Sequence, residues 1–185
     1  MPEITVWTKQ NAAVLDQLKE KGRFTADEGY IRRELESTTD IMLNIYRWLA
    51  DHVTIAVDKP ADVIYPVWVS FDREATMMPE PGYVVLELRL DTSQIAAIDV
   101  IKWTKITNYS YIPADKEDEQ AHNRLIEDAG TDNARAVMTQ FYPEIRRKVI
   151  NSWDRLFEPS SRPGDPGTYG LIWEVKSEWV QRIIT

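Results

Sequence analysis

The chain contains no cysteine and only two histidines, His52 and His122. The first absence excludes disulfides, a thiol nucleophile, zinc ribbons and iron–sulfur clusters. The second leaves too few imidazoles for a multi-histidine metal centre, and no metal site is assigned. Also missing are a Gly-rich phosphate loop, a G-x-S-x-G elbow and an H-E-x-x-H helix, the usual local signatures of nucleotide hydrolases, serine esterases and zinc proteases. No apolar run approaches the roughly 20 residues that span a bilayer. Residues 1–10 lack the basic start and apolar stretch of a secretory signal, so the expectation is a cytoplasmic protein without a membrane partner. Basic residues are outnumbered, 22 against 30 acidic, for a net charge of -8. That balance opposes strong nonspecific attraction to nucleic acid.

What is present suffices for one core. A chain of 185 residues can bury about 70% of the surface its unfolded form exposes. Nothing reads as an interdomain linker, so one domain over 1–185 is expected. Residues 4–7 form a β-branched and aromatic strand. Asn11 then caps a helix carrying Ala12, Val14, Leu15 and Leu18 at helical spacing, stopped by Gly22. Ile31, Leu35, Met42, Ile45 and Leu49 recur on one stripe and predict one helix over 28–52. The segment 63–71 is apolar on both alternating faces, as in a strand covered on two sides. Pro66 puts the stretch 65–68 at an edge, at a bulge or just before the strand proper.

In 84–91, Leu86, Leu88 and Leu90 alternate with Glu87, Arg89 and Asp91, a strand with one buried and one wet face. Capping oxygens in 91–94 predict one helical turn returning Ile95 and Ile98 to the core, before 100–103 extends again. A charged helix follows over 115–129, with His122 on its solvated surface. A further helical stretch covers 132–157, in which Pro143 either kinks the helix or opens a second one. The Pro- and Gly-rich segment 159–170 is the longest irregular stretch, and a strand over 171–176 and an apolar segment over 179–184 close the chain. The pattern is that of an α+β fold, a small, mostly antiparallel twisted sheet packed with helices.

Tryptophan is abundant, with seven residues. Trp7, Trp68, Trp103 and Trp173 lie in or beside predicted strands next to polar side chains, an arrangement able to line a pocket that stacks a flat ring. The alternative is that they fill the core where helices meet the sheet. The pocket reading makes Trp7, Thr8, Gln10, Trp68 and Asn108 ligand-binding candidates. Among carboxylates near strand ends, Glu87 is expected to be exposed. Glu174 is the candidate catalytic acid or base, provided that the segment 159–170 folds over it and desolvation raises its pKa.

The chain resembles the bacterial family catalogued as domain of unknown function 3841. The resemblance rests on Trp7-Thr8-x-Gln10, a helix ending in Gly22, Tyr46-Arg47-Trp48, Tyr65-Pro66-x-Trp68 and Val85-Leu86-Glu87-Leu88. It continues through Asp99, Trp103, Asn108-Tyr109, the run 152–157 and Trp173-Glu174-Val175. The family name carries no activity. The order of elements is similar to that of the ADP-ribosyltransferase fold, in which a histidine- or arginine-bearing strand leads to a glycine-ended helix, an aromatic strand and a late glutamate strand. Here Thr8 stands about where the histidine would be and Trp68 near the aromatic. Leu171 or Ile172 stands near the catalytic glutamate, with Glu174 displaced along the strand.

Three functions are carried forward. The first is a nucleotide- or NAD-like ligand-binding or ADP-ribosyltransferase-like module, with NAD as the cofactor that this resemblance implies. The second is a non-enzymatic protein-interaction or accessory module of a bacterial regulatory, toxin-antitoxin or defence system, whose acidic surface meets a basic partner. The third is a single-stranded RNA binder, which needs a basic stripe on the sheet around Arg89, Lys102 and Lys105.

Overall fold

Alternation along 84–91 and the β-branched start of the chain build the longest ladder in the molecule. In the computed structural model, which describes residues 2–34 and 40–185, the elements run β1 (Glu3–Asn11), α1 (Val14–Lys21), β2 (Arg23–Phe24), α2 (Glu28–Glu34), α3 (Asp40–His52), β3 (Val67–Ser70), β4 (Tyr83–Asp91), β5 (Ala96–Asp99), α4 (Val100–Thr107), α5 (Lys116–Asp128), α6 (Asn133–Met138), α7 (Pro143–Ser152), β6 (Thr168–Ile172), β7 (Val175–Lys176) and β8 (Val180–Ile184). β1 pairs antiparallel with β4 along its whole length, from Glu3 opposite Asp91 to Asn11 opposite Tyr83. The main sheet has the order β5-β6-β3-β1-β4-β8, every neighbouring pair antiparallel, and β2 with β7 forms a separate ribbon. The α+β expectation holds.

The main sheet is two halves. β4, β1 and β8 make one, and β3, β6 and β5 the other. Between them, β1 and β3 share a single register pair, Trp7 opposite Ser70. On one face Val6, Leu86, Leu88 and Leu90 pack with Val14 and Leu18 of α1. On the other, Ile98 and Leu171 pack with Ile106, Val149 and Leu156. Full burial of each such side chain contributes about 1.5–3 kcal/mol. α3 serves both cores, sending Leu43 and Ala50 to the first and Ile45 and Leu49 to the second.

Local signals explain the boundaries. Gly22 ends α1 with φ 72° and donates its N–H to the Leu18 carbonyl, the left-handed cap that glycine adopts without strain. β3 begins directly after Pro66, which resolves the alternatives left open for that proline. Pro143 opens α7 at its first turn, where a missing N–H costs nothing. Asp91 caps a short 3-10 turn by accepting from the Ser93 N–H, and hydrogen bonding by Ser93, first from its side chain and then from that N–H, lowers its carboxyl pKa to about 2.

Residues 28–34 and 40–52 are helical as expected, and the part of the predicted helix that carries Leu35 lies outside the described residues. Several expectations need correction. The segment 100–103 is helical, because Asp99 accepts from the Lys102 N–H and starts α4 there. His122 is buried to 1% exposure, stacked on Tyr111 at 3.9 Å and 11°. Among the described residues the longest stretch without helix or strand is 53–66 rather than 159–170. It is held by buried Val53, Ile55, Val63 and Tyr65. Among the described residues no helix is long and apolar enough to cross a membrane.

Candidate functional site in the gap of the sheet

A ladder that stops after one rung leaves two strand edges facing each other without continuous pairing, and here they border a cavity. Trp7, Thr8 and Gln10 of β1 line it on one side, Pro66, Trp68 and Ser70 on the other. Its volume is about 400 Å³, within the range of small-molecule sites. Tyr46 of α3 and Tyr169 of β6 add aromatic wall, and Ala75 to Met77 close over part of it. The Tyr169 hydroxyl donates to the Ala75 carbonyl at 3.3 Å and holds that loop in place.

The polar groups in the gap are organised as a relay. Gln10 Nε2 donates to Thr8 Oγ1 at 2.6 Å, and Thr8 Oγ1 donates to the Trp68 carbonyl at 2.7 Å. Thr8 and Gln10 are 3% and 5% exposed. One hydroxyl therefore bridges the two strands where the backbone ladder does not. The indole N–H of Trp7 donates to Glu87 across the β1–β4 ladder at 3.3 Å, so Glu87 is half-buried and occupied rather than free in solvent. Trp68 packs against Trp103 at 5.0 Å, and Trp103 meets Tyr46 edge-on at 5.7 Å.

Two groups have capacity to spare. Trp68 Nε1 is buried and has no acceptor among the described residues, a condition that costs about 1–3 kcal/mol. The Tyr46 phenol has its pKa raised by burial and stays neutral through ordinary pH. Lys9 brings the only cation of the lining among the described residues, and it is paired with Glu80 at 2.6 Å. Among the described residues the lining holds no carboxylate and no imidazole.

Four of the six candidate site residues thus meet at one place. Trp7, Thr8, Gln10 and Trp68 all border the cavity. Asn108 does not: it ends α4, exposed, with its amide donating to the Thr104 carbonyl at 2.8 Å. Glu174 is also elsewhere. It lies between β6 and β7, where Arg23 donates to it at 2.7 Å, and Lys176 stands 3.6 Å away. Arg23 in turn reaches Asp62 at 2.6 Å, so Glu174 anchors the β2–β7 ribbon to the segment before β3. The sequence pattern does not mark Tyr46, Thr76 or Tyr169 as site residues, although Tyr46 belongs to the Tyr46-Arg47-Trp48 segment.

A model of the family described as Domain of unknown function (DUF3841) matches residues 5–181. The chain belongs to this family. No curated protein and no solved structure matches it. Of the segments through which the chain resembles the DUF3841 family, three converge on the cavity: Trp7-Thr8-x-Gln10, Tyr46 of Tyr46-Arg47-Trp48, and Pro66 and Trp68 of Tyr65-Pro66-x-Trp68.

Proposed function

We propose that this DUF3841 chain is a small-molecule binding module whose ligand carries a flat heteroaromatic ring, as in a nucleotide or an NAD-like compound. The observation that supports this most is the convergence of Trp7, Trp68, Thr8 and Gln10 on one cavity at the sheet gap. Apolar and aromatic walls reward burial of a ring, and a few fixed polar atoms set its orientation. The Tyr46 hydroxyl and the edges of β1 and β3 supply hydrogen-bonding partners, and the orphaned Trp68 N–H adds a donor that an acceptor on the ring would satisfy.

The cavity has the volume of about a dozen waters, which suits one ring with its sugar rather than a whole dinucleotide. NAD would place one ring here and leave its diphosphate outside, since Lys9 is already paired with Glu80. With no carboxylate or imidazole among the described residues of the lining, the reading is one of binding and assigns no transfer chemistry. The RNA reading loses its premise. Lys102 and Lys105 sit on a helix, Lys102 bonds to the carbonyls of Arg155 and Glu158, and Arg89 pairs with Glu3.

The test is a titration of intrinsic fluorescence and melting temperature with NAD, ADP-ribose, ATP, GTP and short single-stranded RNA. A cognate ring at a hundred times its Kd should stabilise the protein by about 2.7 kcal/mol and change the emission saturably. Trp68→Ala should abolish the response, while Trp68→Phe, which keeps a ring in place, should retain part of it. Silence toward all five compounds would overturn the reading and turn the search to protein partners.

A further inference from the structure

A second hollow, of about 480 Å³, lies on the opposite kind of surface: one charged face of a helix. Glu144, Arg147, Lys148, Asn151, Ser152 and Arg155 recur at steps of three, four, seven, eight and eleven, so α7 and the 3-10 turn that follows it present them as one stripe. Tyr111 and Asp118 form the facing wall. We infer that this hollow binds the phosphate or diphosphate group of a small molecule. The inference is independent of the ring-binding reading and of the cavity in the sheet.

Three cations meet two carboxylates here, in a chain that has a large acidic excess elsewhere. Both carboxylates are already engaged. Asp118 accepts from the Tyr111 hydroxyl at 2.8 Å and from the Ala114 N–H at 2.9 Å, and Glu144 pairs with Arg147 on the exposed rim. Arg155 is held in place. Its Nη1 donates to the Ile112 carbonyl at 2.8 Å, and its Nη2 stands in a looser ion pair with Asp118 at 3.9 Å. The guanidinium lies 5.8 Å from the Tyr111 ring centre, so an occupant would share the N–H groups not spent on Ile112.

Lys148 forms no ion pair among the described residues. Its ammonium stands 5.4 Å from the same ring, half-buried. A preorganised guanidinium fork, an ammonium and the Asn151 amide on one wall match a group with three acceptor oxygens. A lone carboxylate would already be satisfied by the fork. The rim carboxylates Glu144 and Asp118 disfavour a long polyanion and tolerate one compact anionic group.

The experiment is calorimetric titration of the full chain with inorganic phosphate, inorganic pyrophosphate and a phosphoserine peptide, each at a low and a high ionic strength, alongside Lys148→Gln and Arg155→Lys. Saturable binding of one stoichiometric equivalent is expected. Lys148→Gln, at a half-exposed position, should weaken it about tenfold, the loss of one charge-assisted contact. Arg155→Lys, which keeps the charge and loses the fork, should weaken it as well. Trp68→Ala should leave it unchanged, which separates this site from the one in the sheet. Heats that scale only with ionic strength, or equal affinity in wild type and Lys148→Gln, would overturn the inference. So would binding of a phosphoserine peptide without binding of either inorganic anion.

Discussion

The two hollows are built by opposite means. The one in the sheet arises from a missing interaction: β1 and β3 part after a single rung, and large aromatic side chains wall the space between them. The one on α7 arises from side chains carried at helical spacing along one face of that helix. The first keeps Thr8 and Gln10 buried among apolar side chains and has no carboxylate among its described residues. The second carries its polar atoms at the front, charged and facing water. Burial sets which chemistry each can discriminate. A ring gains from leaving water in the first, and a compact anion gains from preorganised donors in the second without being stripped of all its solvent.

The contrast breaks most sharply at Gly170. A Cβ at this position would stand 2.6 Å from Val69 Cγ2 and 2.8 Å from Ile95 Cγ2. Gly170→Val should therefore cost about 3 kcal/mol by overpacking, seen as a lower urea midpoint. Below the melting transition it should weaken ring binding in the sheet gap far more than pyrophosphate binding on α7. Next in size is Ser152→Ala. The buried Ser152 hydroxyl accepts from the Ile112 N–H at 3.0 Å and donates to Val149 at 2.6 Å. Leaving that N–H unpaired should cost about 2 kcal/mol and loosen the segment that carries Tyr111. Pyrophosphate affinity should fall and the fluorescence response to nucleotides should persist.

Acidity separates the hollows too. With no carboxylate or imidazole among the described residues of its lining, the sheet cavity should bind a non-titrating ring with the same affinity from pH 5 to 9. Behind the Tyr111 wall, burial lowers the pKa of His122. Its bond with Asn133 and the charge of Asp118 act the other way, and Lys148 reinforces the lowering. The unfolded chain then takes up this proton first. Stability from this group is full above about pH 6.5 and is lost as pH falls toward the depressed folded value. Melting temperatures taken from pH 7.5 to 5 should show the loss, and His122→Gln should flatten the curve. The smallest effect belongs to Glu87→Gln, which weakens the Trp7 N–H bond but keeps an acceptor. A cost below about 1 kcal/mol and a shifted Trp7 emission are expected.

Much of the sheet was legible because alternation in 84–91 and the proline at 66 act through local geometry. The sheet cavity was half legible. Trp7 and Trp68 announced themselves by type, whereas successive residues of a strand normally face opposite ways. That Trp7 and Thr8 border one space follows only from the open edge between β1 and β3, which no periodicity encodes. Glu174 was misplaced because the late strand breaks after Ile172 and resumes at Val175. Asn108 was misplaced because the Asp99 cap turned an apolar run into a helix. The charged stripe on α7 has clean helical spacing, yet charged residues at such spacing usually mark plain solvated surface. Its significance depends on Tyr111, more than thirty residues away in the chain.

A sheet whose strands are zipped throughout behaves as one stiff plate. Here Trp7 opposite Ser70 is a lone stitch, reinforced by the Thr8 hydroxyl on the Trp68 carbonyl. Widening the slot at that stitch would break few hydrogen bonds between the strands, so a ligand seated there would act as a wedge, opposed chiefly by α3, which packs into both cores.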